Sequence, residues 1–315
     1  MNRRSETTAY GTMKIIIIGS SGRLGAALMR EYRDKYDVAG FNHTQLDLSN
    51  LNGVHERLRA TNFDVLINAA AFTNVDLCET ERDRAFLINA EAPGVLATIC
   101  CDKRAKLIHF STDYVFDGEK RAPYTEEDEA KPISIYGESK LAGEKNVLAT
   151  ENRHLVVRVS WVFGPDRPSF IDGIIKGAQE NRKVDAITDK FSTPTYTLDI
   201  AEMVGRVLDA WSRRALAPDG LRAGRLQGIV HFANAGECSW REYGQWALDC
   251  CHEAGLPLRA TRVGVCKLKD MANWVARRPI YSVLSTAKYT EFTDMPPRTW
   301  RDAVADYITR FYSKI

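Results

Sequence analysis

Ile15-Ile16-Ile17-Ile18-Gly19-Ser20-Ser21-Gly22-Arg23-Leu24-Gly25 is the stretch that decides the fold. Four β-branched residues with no polar interruption suit a strand covered on both faces, as an inner strand of a parallel sheet is. The glycines follow at G-x-x-G-x-x-G spacing, and Leu24, Ala27, Leu28 and Tyr32 then recur at helical period. Strand, glycine turn and amphipathic helix in that order are the setting of a dinucleotide-binding fingerprint. Within it Gly19 makes the tight turn, Gly22 lets the backbone approach a pyrophosphate, and Gly25 lets helix and strand pack closely. The helix N-terminus adds free N–H groups and a positive dipole end, with Ser21, Arg23 and Leu24 on the same phosphate-facing loop.

Outward from this stretch, short apolar runs at Val65-Leu66-Ile67, Leu107-Ile108-His109-Phe110 and Leu155-Val156-Val157 alternate with helical segments. That is the rhythm of βαβ units with right-handed crossovers. The expected fold is α/β, a doubly wound parallel Rossmann sheet with a smaller, partly discontinuous C-terminal substrate region. Residues 1–12 read as a disordered extension and 13–165 as the dinucleotide-binding domain, completed by part of 195–235. Residues 166–194 and 236–315 form the substrate-binding region, where Asp166-Arg167-Pro168, Thr193-Pro194-Thr195 and Pro296-Pro297 punctuate shorter elements. Gly228 to Phe232 reads as a strand returning to the main sheet, and Trp240 to Cys251 as a helix capped by Ser239.

Composition excludes several function classes. With 315 residues, 44% hydrophobic and 27% charged, the chain has the profile of a soluble globular protein. Lys plus Arg (43) nearly balances Asp plus Glu (41), so neither nucleic acid nor an acidic membrane surface is expected as the main partner. No apolar stretch approaches the roughly 20 residues of a membrane span, and Met1 to Thr12 lack the apolar core of a secretory leader. The seven cysteines include no C-x-x-C pair, which argues for reduced thiols in a cytoplasmic protein and against a metal site.

The cofactor reading extends past the glycines. An acid at the end of the second strand would select NAD through the ribose hydroxyls. Here the region reads Gly40-Phe41-Asn42-His43-Thr44, so Arg23 and His43 are candidates to face a ribose phosphate. NADPH is the expected cofactor, with NADH the competitor. Asp47 and Leu48 are placed beside the adenine, Asp47 with an alternative role as a helix cap. Asn68 and the small residues Ala69, Ala70 and Ala71 leave room along the sheet edge.

The chemistry reading rests on Ser111-Thr112-Asp113 followed by Tyr136-Gly137-Glu138-Ser139-Lys140. Tyr136 and Lys140 are four residues apart and share a helix face. A free phenol has a pKa of about 10, too weak an acid for fast proton transfer, and a neighbouring ammonium lowers it. Lys140 is also expected to hold the nicotinamide ribose, while Thr112 offers a hydroxyl to the same carbonyl oxygen.

These motifs resemble an extended short-chain dehydrogenase/reductase, and within that group the dTDP-4-dehydrorhamnose reductase family. The similarity runs from Met13 onward. It is carried by Asn68 to Asp76 (N-A-A-A-F-T-N-V-D), Phe110 to Gly118 (F-S-T-D-Y-V-F-D-G), Tyr136 to Glu144 and Arg158 to Gly164. Arg278-Pro279-Ile280-Tyr281-Ser282-Val283-Leu284 is similar to the family's Arg-Pro-x-x-Ser-x-Leu segment. The resemblance implies reduction of the C4 ketone of a dTDP-linked keto-deoxy sugar, dTDP-4-dehydro-6-deoxy-L-mannose, to dTDP-L-rhamnose. Thr112, Tyr136 and Lys140 carry over as the catalytic trio. Thr73, Val75, Asp113, Tyr114, Val115 and Trp161 carry over as substrate contacts, and Arg278 as a partner for a substrate phosphate. Trp161 packing between the two regions is the competing role. Some relatives use an acid two positions past the last fingerprint glycine in a magnesium-linked dimer; here that position is Ala27, so no metal is expected, and a homodimer stays open. Where relatives often have Phe-Gly-x-Pro-Thr, this chain has Phe191-Ser192-Thr193-Pro194-Thr195. The regulatory β subunit of methionine adenosyltransferase resembles the same family, so a non-catalytic role is the alternative from another class. An epimerase or dehydratase on a nucleotide sugar would want extra acid/base groups beside Thr112; Asp113 is a candidate for one, but Ser-Thr-Asp-Tyr reads better as the reductase pattern.

Overall fold

The computed structural model describes residues 13–150, 154–214 and 226–312. The extension expected at 1–12 lies outside them. The isoleucine run is strand β1 (Lys14–Ile18), flanked by β2 (Asp37–Phe41) and β3 (Val65–Asn68). Beyond β3 come β4 (Lys106–Thr112), β5 (Leu155–Val159) and the strand Gly228–His231, giving six strands paired entirely in parallel. Chain order therefore reverses at β1, with β2 on one side and β3 on the other. A crevice opens there at the carboxyl ends of the strands, where open α/β sheets bind ligands.

The four isoleucines divide between two apolar layers, which is why no polar residue interrupts them. Ile15 and Ile17 pack with Leu24 and Leu28 of helix α1 (Arg23–Tyr32) and with Ile200, Val204 and Val207 of the helix Thr197–Arg214. Ile16 and Ile18 pack with Val54 and Leu58 of helix α2 (Leu51–Arg59) and with Leu96 and Ala97. A separate cluster joins Phe163, Ile174, Tyr196, Tyr243, Trp300 and Tyr307 beyond the sheet. There Ser239 caps the helix Trp240–Glu253 by accepting from Glu242 N, and the Glu242 carboxylate returns to the Ser239 N–H. Three two-stranded pairs surround this cluster, the longest of them Val184–Ile187 with Val263–Cys266.

Residues Arg82–Asp102 form one helix of 21 residues that meets a membrane span by length and mean hydropathy alone, because a π-helical stretch, Leu87–Glu91, joins two α-helical segments into one. Its apolarity has a local use: Leu96, Ala97, Ile99 and Cys100 are buried against the sheet.

The helix Ile135–Leu148 is fixed to the sheet by charge. Glu144, 1% exposed, accepts from Arg158 Nε (2.9 Å) and Nη2 (2.6 Å) and from Ser111 Oγ (2.5 Å). Arg158 belongs to β5 and Ser111 to β4, so one carboxylate ties a helix to two strands. Removing one partner of such a pair leaves the other charge buried alone, at a cost of about 3–5 kcal/mol. Arg158→Met should lower the unfolding free energy by about that amount in a urea titration. Adding Glu144→Leu should recover most of the loss.

Candidate active site

The crevice holds a cavity of about 740 Å³. Gly19, Ser21, Gly22, Arg23 and Leu24 line it at one end, with His43, Asp47, Leu48 and Ala69 to Ala71. Thr112, Tyr136 and Lys140 line it too, with Thr73, Val75, Asp113, Tyr114 and Trp161 beside them. Gly25, Asn42, Asn68, Val115 and Arg278 do not line it.

The glycine loop has the shape that a pyrophosphate needs. Gly19 has φ +80°, and a Cβ there would stand 2.9 Å from Ala70 N. A Cβ on Gly25 would stand 2.1 Å from Gly19 O, so helix and turn touch through backbone alone and Gly25 serves packing. Helix α1 has no side-chain cap and no acid in its first turn. Its first N–H groups and dipole are thus left for an anion, and the residues present fit the phosphates of a dinucleotide.

Three cofactor expectations are revised by geometry. Arg23 directs Nε to Arg167 O (3.2 Å) and Nη2 to Pro168 O (2.5 Å), and Arg167 Nε returns to Ser21 O (2.8 Å). Those donors strap the glycine loop to residues 166–168 instead of facing a ribose phosphate. Asn42 Oδ1 accepts from Thr44 N, Thr44 Oγ1 and Gln45 N, so this side chain closes its own turn. Asp47 accepts from Ser49 N (2.9 Å), which holds its carboxyl below the usual range, while the cap of α2 is Asn50.

Around Thr112, Tyr136 and Lys140, Ser134 caps the Ile135–Leu148 helix by accepting from Gly137 N. A Cβ on Gly137 would stand 2.3 Å from Tyr114 O, so glycine alone lets this helix meet the turn after β4. Thr112 Oγ1 accepts from Tyr114 N (3.2 Å) and donates to Asp113 Oδ1 (3.1 Å). Lys140 Nζ donates to Phe110 O (2.7 Å). Burial pulls Lys140 down to about 8, against the opposing charge of Glu144. The expected lowering of the phenol is not seen: burial pushes Tyr136 above its ordinary value, and the Thr112 hydroxyl opposes this only in part. Desolvation dominates because the phenol is taken out of water, and the Asp113 charge adds to it.

The substrate expectations divide as well. Trp161 has φ +40°, strained for a bulky residue, and its buried Nε1 has no protein partner. It stacks on Tyr243 and meets Trp240 edge-on, so it both packs and lines the cavity. Val115 is wholly buried among Phe116, Tyr124, Tyr281 and Val283, which makes it core and not a sugar contact. Arg278 points both Nη groups at Asp76 (2.6 and 2.5 Å), so its charge is already matched within the protein.

The sequence reading missed four residues. Asn89, in the π-helical stretch, bonds Phe72 N, Phe72 O and Ser139 Oγ. His109, in β4, faces Lys140, and Lys190 lies over the rings of Tyr114 and Trp161. Arg84 lines the cavity near Asp47. A histidine inside an apolar strand run is itself a signal, because a buried polar group needs a partner. A single lysine in a loop offers none.

Residues 13–313 match the model of the RmlD substrate binding domain family. The chain belongs to the dTDP-4-dehydrorhamnose reductase family. It is 35% identical over 298 residues to the dTDP-4-dehydrorhamnose reductase of Mycolicibacterium smegmatis, covering 94% of this chain and 85% of that one. It is 32% identical to a probable dTDP-4,6-dihydroxy-2-methyloxan-3-one 4-ketoreductase of Streptomyces antibioticus, covering 93% and 94%. The crystal structure of dTDP-4-dehydrorhamnose reductase from Bacillus anthracis in complex with NADP superposes with TM-score 0.84 at 28% identity, covering 95% and 99%.

Asp76 also accepts from Val275 N (2.8 Å) and Ala276 N (2.9 Å), so one carboxylate joins the helix Val75–Thr80 to the segment before Arg278. The Arg278 guanidinium holds this carboxyl well below the usual range. A folded-state pKa below the unfolded one gives stability that is present above the unfolded value of about 3.9 and lost as pH falls towards the folded one. The melting-temperature gap between wild type and Asp76→Asn should be full at neutral pH and shrink below about pH 4.

Proposed function

We propose that this protein reduces the C4 ketone of dTDP-4-dehydro-6-deoxy-L-mannose to dTDP-L-rhamnose, with Thr112, Tyr136 and Lys140 as the reacting side chains. The observation that carries this reading is their convergence, in one cavity with an anion-ready glycine loop, in a chain of this family. The reduced nicotinamide dinucleotide supplies the hydride when bound. NADPH is the preferred form: β2 ends without an acid, His43 and Arg84 line the cavity, and the Bacillus anthracis relative holds NADP. NADH is the competitor.

Tyr136 supplies the proton to the developing alkoxide. Burial keeps the phenol protonated, so it enters the reaction as the acid. Lys140 stands four residues on, fixed by Phe110 O, with nitrogen donors for the ribose. Thr112 hydrogen-bonds the carbonyl oxygen. In this structure its hydroxyl donates to Asp113, whose carboxyl is pushed up by burial against the opposing Lys190 charge and the hydroxyls of Ser282, Thr112 and Ser192. Rotation of that hydroxyl turns its proton to the ketone. Thr73, Tyr114 and Trp161 line the sugar and base side, where the unpartnered Trp161 N–H suits a ligand acceptor. Residues 166–194 and 236–315 bring this side of the cleft together.

A second reading, reduction of another dTDP-linked 4-keto sugar, is favoured by Ser192. Its hydroxyl reaches Asp113 Oδ2 (3.2 Å), directly behind Thr112, at a position where relatives often have glycine. The test is loss of reduced-cofactor absorbance with each keto sugar, with NADPH and NADH compared. Tyr136→Phe should lose about 10²–10⁴-fold in turnover while still binding NADPH. Cofactor binding without turnover on any keto sugar would overturn the reductase reading in favour of a regulatory one.

A further inference from the structure

Two wholly buried side chains that the reductive scheme leaves unused lie in line with Lys140, His109 against it and Asn68 behind His109. Asn68 ends β3 and His109 lies opposite it in β4. Asn68 Oδ1 accepts from Ala70 N (3.1 Å), which leaves its NH₂ group facing His109 Nδ1 at 3.1 Å. An amide nitrogen only donates, so Nδ1 is the acceptor, and a neutral ring then carries its proton on Nε2. His109 is neutral, since burial first and the Lys140 charge second drive its protonation far below the ordinary range.

That Nε2–H faces Lys140 Nζ at 3.5 Å. An ammonium has three N–H groups and no lone pair, so an N–H aimed at it repels; an amine accepts it. The bond from Nζ to Phe110 O, at 2.7 Å, serves either form and does not discriminate. At 3.5 Å the contact is long for a hydrogen bond, so His109 acts chiefly as an oriented dipole.

We propose that Asn68 and His109 are positioning residues for Lys140: Asn68 locks the ring tautomer of His109, and the Nε2–H so presented favours the lysine amine over the ammonium. The other groups around Nζ do not supply this bias. Glu144, a turn further along the helix, favours the ammonium, but its carboxylate is held by Arg158 from β5 and Ser111 from β4. Tyr136, a turn earlier, is an uncharged phenol. Asp113, beyond the end of β4, is bonded by Ser192 and Ser282. Burial already brings Lys140 down to about 8, beside Tyr136, so an oriented dipole at Nζ acts on a group within reach of titration.

The inference rests on Lys140 belonging to the reductive site, and its test is read whether or not a sugar is reduced. In ¹⁵N spectra of the full-length protein, His109 should show a protonated Nε2 and a bare Nδ1 across neutral pH. A protonated Nδ1, in either the opposite tautomer or the imidazolium, would overturn the proposal. Asn68→Asp reverses the lock, since a carboxylate accepts from Nδ1–H and turns the Nε2 lone pair towards Lys140. The Lys140 titration, followed by its ¹³Cε shift, should then rise by about one pH unit or more. The basic limb of the kcat/KM profile should move with it, which a merely structural role would not cause. Asn68→Ser removes the lock without adding charge and should give a smaller rise with mixed tautomers. A lysine titration unmoved in the folded variants would sink the idea.

Discussion

The carboxylate of Glu144, closed in by Arg158 and Ser111, is the constraint on which the site depends. A charge on a 1%-exposed side chain is tolerable only where partners replace water on every side. Here they come from two neighbouring strands, so the Ile135–Leu148 helix has one acceptable seat along the sheet. Tyr136 and Lys140 lie two turns and one turn before Glu144 on that helix. Seating Glu144 therefore sets how far both project over the end of β4, where Thr112 waits. Replacing the pair by apolar residues could leave stability intact while loosening that placement, since a buried ion pair favours one register more than it favours folding.

Backbone contact sets the remaining distances. Gly137 meets Tyr114 O, Gly143 meets Asn89 O, and Gly25 meets Gly19 O, each at a separation no Cβ would permit. The π-helical stretch Leu87–Glu91 contributes to the second of these. By turning Asn89 towards Phe72 and Ser139, it ties the loop after β3 to the helix that carries Tyr136. A π-turn inside an α-helix is unfavourable on its own, and such turns persist most often where function uses them. Here it connects the end of the cleft lined by Ala69 to Ala71 to the helix carrying Tyr136 and Lys140.

What the sequence disclosed follows from which interactions are local. The isoleucine run, the glycine spacing and the Tyr136–Lys140 interval report on neighbours within a few residues, so the doubly wound sheet and the cluster of Thr112, Tyr136 and Lys140 could be read directly. Arg23 and Arg278 were read as phosphate ligands because a cation beside a phosphate-binding motif invites it. Their actual partners, Arg167 O with Pro168 O and Asp76, lie 144 or more residues away and leave no local trace. Val115 failed differently: it sits inside a functional motif, yet alternation along the turn sends it into the core beside Phe116 and Tyr124.

The two distant pairs have a common consequence. Arg23 and Arg167 cross the cleft at the glycine loop, and Asp76 with Arg278 crosses it near Tyr114. The sheet and the aromatic cluster beyond it each have their own core, so nothing in either core alone fixes the width of the cleft. These polar straps do so together with the small apolar cluster of Phe116, Tyr124, Tyr281 and Val283 and the bonds of Ser192 and Ser282 to Asp113. The Arg23–Arg167 strap is exposed, where such contacts are weaker and exchange faster than apolar packing. The Asp76–Arg278 pair is the firmer of the two, with Arg278 only 7% exposed. A site that must admit a bulky nucleotide and then exclude water has reason to set one firm strap and one easily opened strap at its rim.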